Sequence, residues 1–238
     1  MQTARLSLEP VRADHAREAA PVFDDVRLHA WTGGEPASPE ELEARYQRQA
    51  YGQSPDGAHG WLNWILRRVL DGQLVGTVQA TLSRSAAGRL QADVAWVVGH
   101  DYQGRGYGRE GALGMATWLR ARGVDSLAAY IHPGNRASTG IARALRLSPT
   151  GTVVDGEIRW TSPSGGAAGS SGTGSSGEAE DGDSEEAGHT RSPLAAVGRR
   201  ERRAACDEVN EWPSSIRPIA PGADLLPIST DQWLISPT

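Results

Sequence analysis

The 238-residue sequence contains no lysine, and all 24 residues counted as Lys plus Arg are arginine. That excludes a Gly-Lys-Ser/Thr phosphate loop and a Schiff-base lysine, both of which need a primary amine at one defined place. Cysteine occurs once, as Cys206, so neither an intrachain disulfide nor a cysteine-based metal cluster can form. No apolar run approaches the roughly 18 residues of a membrane span, and the opening MQTARLSLEP lacks the apolar centre of a secretory leader. A cytoplasmic protein without membrane contact is expected. His15, His29, His59 and His100 lack the spacing of metal ligands, so no metal site is expected either. What is present, 38% hydrophobic and 22% charged residues, suffices for a buried core.

Charge and composition change together along the chain. Residues 1–160 carry 18 Arg against 17 Asp plus Glu, a net +1, whereas residues 161–238 carry 6 against 12, a net −6. The stretch SPSGGAAGSSGTGSSGEAEDGDSEEAGHT has almost no large apolar side chain and cannot offset the entropy of ordering. The expected organisation is therefore a folded domain over 1–161, a disordered Gly/Ser/acidic linker over 162–190, and a tail over 191–238. The tail is either a docking segment or unstructured, and its Pro-interrupted composition favours the second.

Within the domain, LSLEPVR alternates like a strand, and ADHAREAAPVFDDVRLHAW is a helical pattern that Pro21 is expected to split into two short helices. SPEELEARYQRQA begins a clearer helix, with Ser38 as N-cap, Pro39 at the first helical position and Glu41 closing a capping box. WLNWILRRV and QLVGTVQATLS read as two strands joined at Asp71-Gly72. On the second, Leu74, Gly76, Val78, Ala80 and Leu82 are expected on one face, with Thr77, Gln79 and Thr81 on the other. LQADVAWVVG makes another strand, and REGALGMATWLRARG a helix ending near Gly123. SLAAYIHP is a strand, Asn135 caps RASTGIARALRL, and GTVVDGEIRW turns back at Asp155-Gly156. With the broken segment counted once, the order is βααβββαβαββ.

Five glycines fall within VVGHDYQGRGYGREG, four of them in the eight residues from Gly104 to Gly111, after a strand and before a helix. Gly106, Gly108 and Gly111 fit G-x-G-x-x-G, a weak sign of a dinucleotide fold. Such a fold starts with that strand and carries an acidic residue at the end of the next one, yet here three antiparallel strands come first and the next strand ends in Ile131-His132. A plain tight turn would need a single glycine. The reading that uses all of them is an anion cradle, in which bare backbone N–H groups and a helix N-terminus face a pyrophosphate.

At this point the sequence resembles the GNAT acyltransferase superfamily, whose pyrophosphate loop reads Gln or Arg, two residues, Gly, one residue, Gly or Ala. Gln103, Gly106 and Gly108 fit that pattern. ADVAWVVGHDYQGRGYGREG and IHPGNRAS resemble wider family stretches, and HAWTGGEP with the last hairpin resembles, more loosely, the Rim branch that acetylates ribosomal-protein N-termini. The resemblance covers the domain and not the tail. It implies an α+β fold with a bent, mostly antiparallel sheet flanked by helices, and an acetyl-CoA-dependent N-acetyltransferase acting by direct attack of an amine. The implied acetyl-CoA contacts are the strand backbone at Trp96, Val97 and Val98, the loop of Gln103, Gly104, Arg105, Gly106, Tyr107, Gly108 and Arg109, and Asn135 on the pantetheine arm. Asp93 is the implied base, and Ser138 lies beside the arm.

Where the family commonly offers a Tyr as acid, seven residues after the Asn, this chain has Ala142, which leaves Ser138, Tyr130 or water for that role. The same departure keeps open a non-catalytic acyl-CoA-binding module; a dinucleotide oxidoreductase is the other rival. Protein N-termini, small-molecule amines and aminoacyl-tRNA would all suit as acceptors, and no other nucleic acid is expected as a partner. His132 is expected in a turn or cleft wall, and Trp31, Trp61 and Trp64 in the core.

Overall fold

The computed structural model describes residues 1–32 and 35–163, leaving aside the side chains of residues 30–32. The expected linker and tail fall outside the described residues except at Ser162 and Pro163, as does the side chain of Trp31. β1 (Leu6–Pro10) leads through a 3-10 turn at Ala13–His15 into α1 (Ala16–Phe23), α2 (Val26–Thr32) and α3 (Pro39–Tyr51). Strands β2 (Gly60–Arg68), β3 (Leu74–Arg84) and β4 (Leu90–Val98) follow, then a 3-10 turn at His100–Tyr102 and α4 (Tyr107–Arg120). β5 (Ser126–Ile131), α5 (Arg136–Ala144), β6 (Ser148–Val154) and β7 (Glu157–Thr161) complete the order.

Local chemistry sets the boundaries. Ser38 Oγ accepts the Glu41 N–H at 3.2 Å, and the Glu41 carboxylate accepts the Ser38 N–H at 2.8 Å, so the capping box forms as its residues require. Asn135 caps α5 in the same way, its Oδ1 accepting the Ser138 N–H at 3.0 Å. Pro21 does not split the first helical segment: it lies inside α1, one turn from its end, where a single lost bond is tolerated. The break falls instead at Asp24-Asp25, and Asp25 Oδ1 caps the next helix by accepting the Arg27 N–H at 2.9 Å.

The seven strands form one sheet in the order β1-β2-β3-β4-β5-β7-β6, antiparallel at every step except β4–β5. The α+β, mostly antiparallel class expected from the sequence is the class observed, and it is not that of a dinucleotide fold. α4 and α5 cover one face over a core of Leu8, Leu66, Val78, Met115, Leu119 and Leu145 and others. Burying a side chain such as Met115 or Leu119 stabilises the fold by about 1.5–3 kcal/mol each. α1 and α3 cover the β1–β3 part of the other face through Val11, Ala16, Leu42, Tyr46, Ile65 and Leu74. Leu74 is therefore on the face opposite to the one expected. The pairing of β2 with β3 jumps from Leu66–Gly76 to Arg67–Leu74, so Val75 is bulged and reverses the alternation beyond it. Among the described residues, no helix is long and apolar enough to cross a membrane.

Candidate active site

The site begins with an unfinished ladder. β4 pairs with β3 along its whole length, from Leu90 to Val98, but with β5 only at Gln91, Asp93 and the Ala92 between them. Beyond Ala128, β5 turns its pairing to β7 alone. Residues 94–98 and 129–131 thus flank a gap. Peptide groups alternate sides along a strand. Leu90 bonds toward the β5 side through Asp125, while the Gly99 N–H reaches Val75 of β3 at 3.0 Å. Even-numbered residues of β4 consequently turn their peptide groups toward β5, and odd-numbered ones toward β3. Trp96 and Val98 present backbone N–H groups to the gap; Val97 presents its own to β3. A side chain on Gly76 would come within 2.4 Å of the Val97 carbonyl oxygen, so glycine there keeps β3 and β4 together while β5 diverges.

At the far end of β4 the loop closes on the strand. The Gln103 amide donates to the Val98 carbonyl at 3.1 Å, and Gly104 and Gly106 take left-handed φ of +72° and +81°. Gly106 is the N-cap of α4 and brings no capping side chain; the first intrahelical bond runs from the Glu110 N–H to the Gly106 carbonyl at 3.0 Å. The N–H groups of Tyr107, Gly108 and Arg109 are therefore open to an anion. Arg105 and Arg109 are exposed beside them. The Tyr107 ring is buried under the Arg5 guanidinium at 4.8 Å, so only its backbone faces the loop. Gly108 has an ordinary negative φ, and a Cβ there would meet Ile141 and Val98 methyls at 3.2 Å. Its glycine serves close packing of α4 against α5 and β4.

Arg5 is a loop residue that no local sequence pattern flags. Its guanidinium donates to the Arg105 carbonyl at 3.0 Å and pairs with Glu110 at 2.7 Å, while Thr3 donates to the same carboxylate at 2.6 Å. Burial disfavours the Glu110 charge, but these bonds and the Arg5 N–H outweigh it and hold the carboxyl below its usual range. The segment before β1 thereby ties down the first turn of α4.

The remaining expected residues divide between the two faces of β4. On the α4–α5 face, the Trp96 indole N–H donates to Ser138 Oγ at 3.2 Å, joining β4 to the start of α5 beside the gap. The Ser138 hydroxyl hydrogen stays available, and Asn135 keeps its amide N–H2 because capping uses only its oxygen. Ala142 is fully buried in the core. Asp93 points to the opposite face, with Tyr130 and Arg159 sharing that face on β5 and β7 through the register. Solvent reaches Asp93, yet the surrounding atoms desolvate it and raise its carboxyl above the ordinary 3.8, against the opposing charges of Arg159 and His59. The structure thus brings Trp96, Ser138 and Asn135 together and sets Asp93 apart on the other side of the gap. His132, at the end of β5, accepts the Gly134 N–H through Nδ1 at 3.1 Å, as a turn residue would. Trp64 is buried in the core and Trp61 half-buried. No group of three or more His, Cys, Asp or Glu suited to a metal occurs among the described residues.

No curated protein matches the sequence at a significant level. An acetyltransferase from Thermus thermophilus superposes with a TM-score of 0.52 at 24% identity, covering 68% of this chain and 99% of that one. A GNAT-family acetyltransferase from Bordetella pertussis gives 0.52 at 21% identity, over 68% and 98%. RimL, a ribosomal alpha-N-protein acetyltransferase solved in complex with coenzyme A, gives 0.54 at 13% identity, over 67% and 94%. At these identities the likeness is one of fold. The sequence itself matches the profile of the acetyltransferase (GNAT) domain over residues 5–148. With the open ladder and the uncapped helix in place, that match establishes that the chain belongs to the GNAT acetyltransferase family.

Proposed function

We propose that the chain is an N-acetyltransferase that moves the acetyl group of acetyl-CoA to a primary amine by direct attack. The observation that carries this reading is that one strand, β4, borders both an unpaired gap and the uncapped start of α4. Backbone N–H groups of Tyr107, Gly108 and Arg109 would hold the pyrophosphate, with Arg105 and Arg109 adding charge. Gln103 and Gly104 shape that loop, and the peptide groups of Trp96 and Val98, with the Asn135 amide, would hold the pantetheine arm as a strand holds its neighbour.

The chemistry follows from the two faces. An amine is protonated at neutral pH, with a lysine-like pKa near ~10.4, and cannot attack until it loses that proton. Asp93 would take it, directly or through water, and a carboxyl raised by desolvation is a better base than an ordinary aspartate. As the C–N bond forms, negative charge grows on the thioester oxygen, where the Trp96 or Val98 N–H would stabilise it. The C–S bond then breaks, the proton left on the nitrogen passes to the departing thiolate, and Ser138, whose oxygen accepts from Trp96, would relay that proton or donate a hydrogen bond to the sulfur. Protein N-termini and small-molecule amines are the acceptor classes this scheme serves, in the cytoplasm where acetyl-CoA is made available; aminoacyl-tRNA is the nucleic-acid-borne acceptor it would also accommodate. The test is thiol release from acetyl-CoA across peptide N-termini, small amines and aminoacyl-tRNA, with the acetylated amine identified by mass spectrometry.

The burial of Ala142, at the place where the family commonly carries a tyrosine, favours a second reading as a non-catalytic acyl-CoA-binding module. Tight acetyl-CoA binding without thiol release over that whole panel would decide for it.

A further inference from the structure

Arg159 is half-buried on β7, and its position is fixed: it lies opposite Tyr130, and its carbonyl accepts the Thr150 hydroxyl at 2.9 Å. Some other arginines of the domain are paired, Arg5 with Glu110, Arg67 with Glu9 and Glu18, and Arg68 with Asp71. Among the described residues, no carboxylate forms an ion pair with Arg159. Its charge is felt instead by Asp93, on the same face, without contact between the two. At Asp93 the register runs through Ala128 of β5 to Thr161 of β7, which sets those backbones about 9–10 Å apart by strand spacing, and Arg159 lies two residues from Thr161 on the side of the gap. A desolvated carboxylate and a half-buried guanidinium are thus held near one another with room between.

We infer that the acceptor is a free α-amino acid, whose carboxylate is bound by Arg159 while its amine lies at Asp93 beside the gap. This rests on the amine-acetylation reading above. The zwitterion completes both charges: the ammonium pairs with Asp93, and the carboxylate takes the planar donor fork that suits it. A polyamine would bring a second cation toward Arg159, and a peptide N-terminus would bring a neutral amide where the carboxylate belongs. In the reaction the ammonium first gives one proton to Asp93, the amine nitrogen bonds to the acetyl carbon, the carbon–sulfur electron pair leaves with sulfur, and the second nitrogen proton passes to that thiolate to give free coenzyme A thiol. The product is an N-acetyl amino acid. Arg159 takes no part in these bond changes and acts as a specificity-determining residue.

The test uses the full chain and acetyl-CoA, comparing thiol release for each standard amino acid and its carboxamide. The preferred amino acid should exceed its amide by about 10–100-fold in kcat/KM, the range of one charge-assisted pair. Arg159→Gln should bring that ratio close to one, chiefly by raising KM for the acid, and should not alter acetyl-CoA affinity; Arg159→Lys should restore part of it. An amide or a peptide N-terminus used as well as the acid overturns the inference, and so does an equal loss for acid and amide in Arg159→Gln. Should no amine be acetylated, calorimetry of the amino acids against protein saturated with coenzyme A separates the two claims. Binding that Arg159→Gln abolishes supports the carboxylate site and sinks the transfer reading, whereas no binding sinks both.

Discussion

Between Gly99 and Arg109 the molecule offers a ligand its backbone; on the face shared by Asp93, Tyr130 and Arg159 it offers side chains. The first region is contiguous in sequence, and its groups are the peptide N–H donors left over when a helix starts at an uncapped glycine. Such donors suit any pyrophosphate and discriminate little. The second is assembled from β4, β5 and β7, and among the described residues neither of its two opposite charges forms an ion pair. The proposed acceptor choice is placed there, because a side chain can change without disturbing the ladder beneath it.

Substitutions on the two sides should fail differently. The largest effect is expected for Asp93→Asn, which should lower kcat/KM at neutral pH by about 10²–10⁴ with acetyl-CoA affinity unchanged, as steady-state kinetics and calorimetry would show. A fall in coenzyme affinity of similar size would erase the division between the sides. Gly108→Val should do the converse. Crowding against Ile141 and Val98 should weaken acetyl-CoA binding about 10–100-fold and lower stability by about 1–3 kcal/mol. Gly108→Ala should show a smaller version of both in calorimetry and denaturant unfolding. Unchanged coenzyme affinity in folded Gly108→Val would return the loop to the status of a plain turn.

Smaller effects sharpen the boundary of the domain. The Ser162 N–H donates to the Leu127 carbonyl at 2.9 Å, and the Leu127 N–H to Ser162 Oγ at 3.0 Å. A chain ending at Pro163 should melt as the full chain does, while one ending at Thr161 should melt roughly 2–6 °C lower. A marked loss already on ending at Pro163 would show that later residues support the fold. The smallest effect is one of stability with pH. The folded state holds the Asp93 carboxyl above 3.8, so its destabilising influence is absent below that pH and grows as pH rises through the raised pKa. Asp93→Asn should therefore be slightly more stable than the parent at neutral pH and equal to it in acid, by denaturant midpoints.

The backbone-built region was largely legible in the sequence. A capping box, Asn135 as N-cap and the Asp155-Gly156 turn depend on neighbours within a few residues, and each forms as expected; the glycine loop likewise falls between β4 and α4. Local signals failed where distant partners decide. The bulge at Val75 sent Leu74 to the other face because β2 and β3 slip past one another, which no alternation in β3 alone reveals. Pro21 was absorbed near the end of α1, and the break went to an aspartate cap. Arg5 reaches Glu110 and Arg105 across about a hundred residues, and Arg159 comes to share a face with Asp93 only through the order in which β4, β5 and β7 assemble. Gly108 was expected to bare the backbone; its packing against α5 became visible only with both helices in place.

The most direct test of the account is the ratio of kcat/KM between the parent and Asp93→Asn, measured with one acetylated amine from neutral pH to above the amine's pKa near ~10. If Asp93 removes the ammonium proton, the ratio should begin at about 10² or more and shrink toward one as solvent deprotonates the amine unaided. A ratio near one at neutral pH, or one that stays constant as pH rises, would contradict the assignment of Asp93 to the proton path.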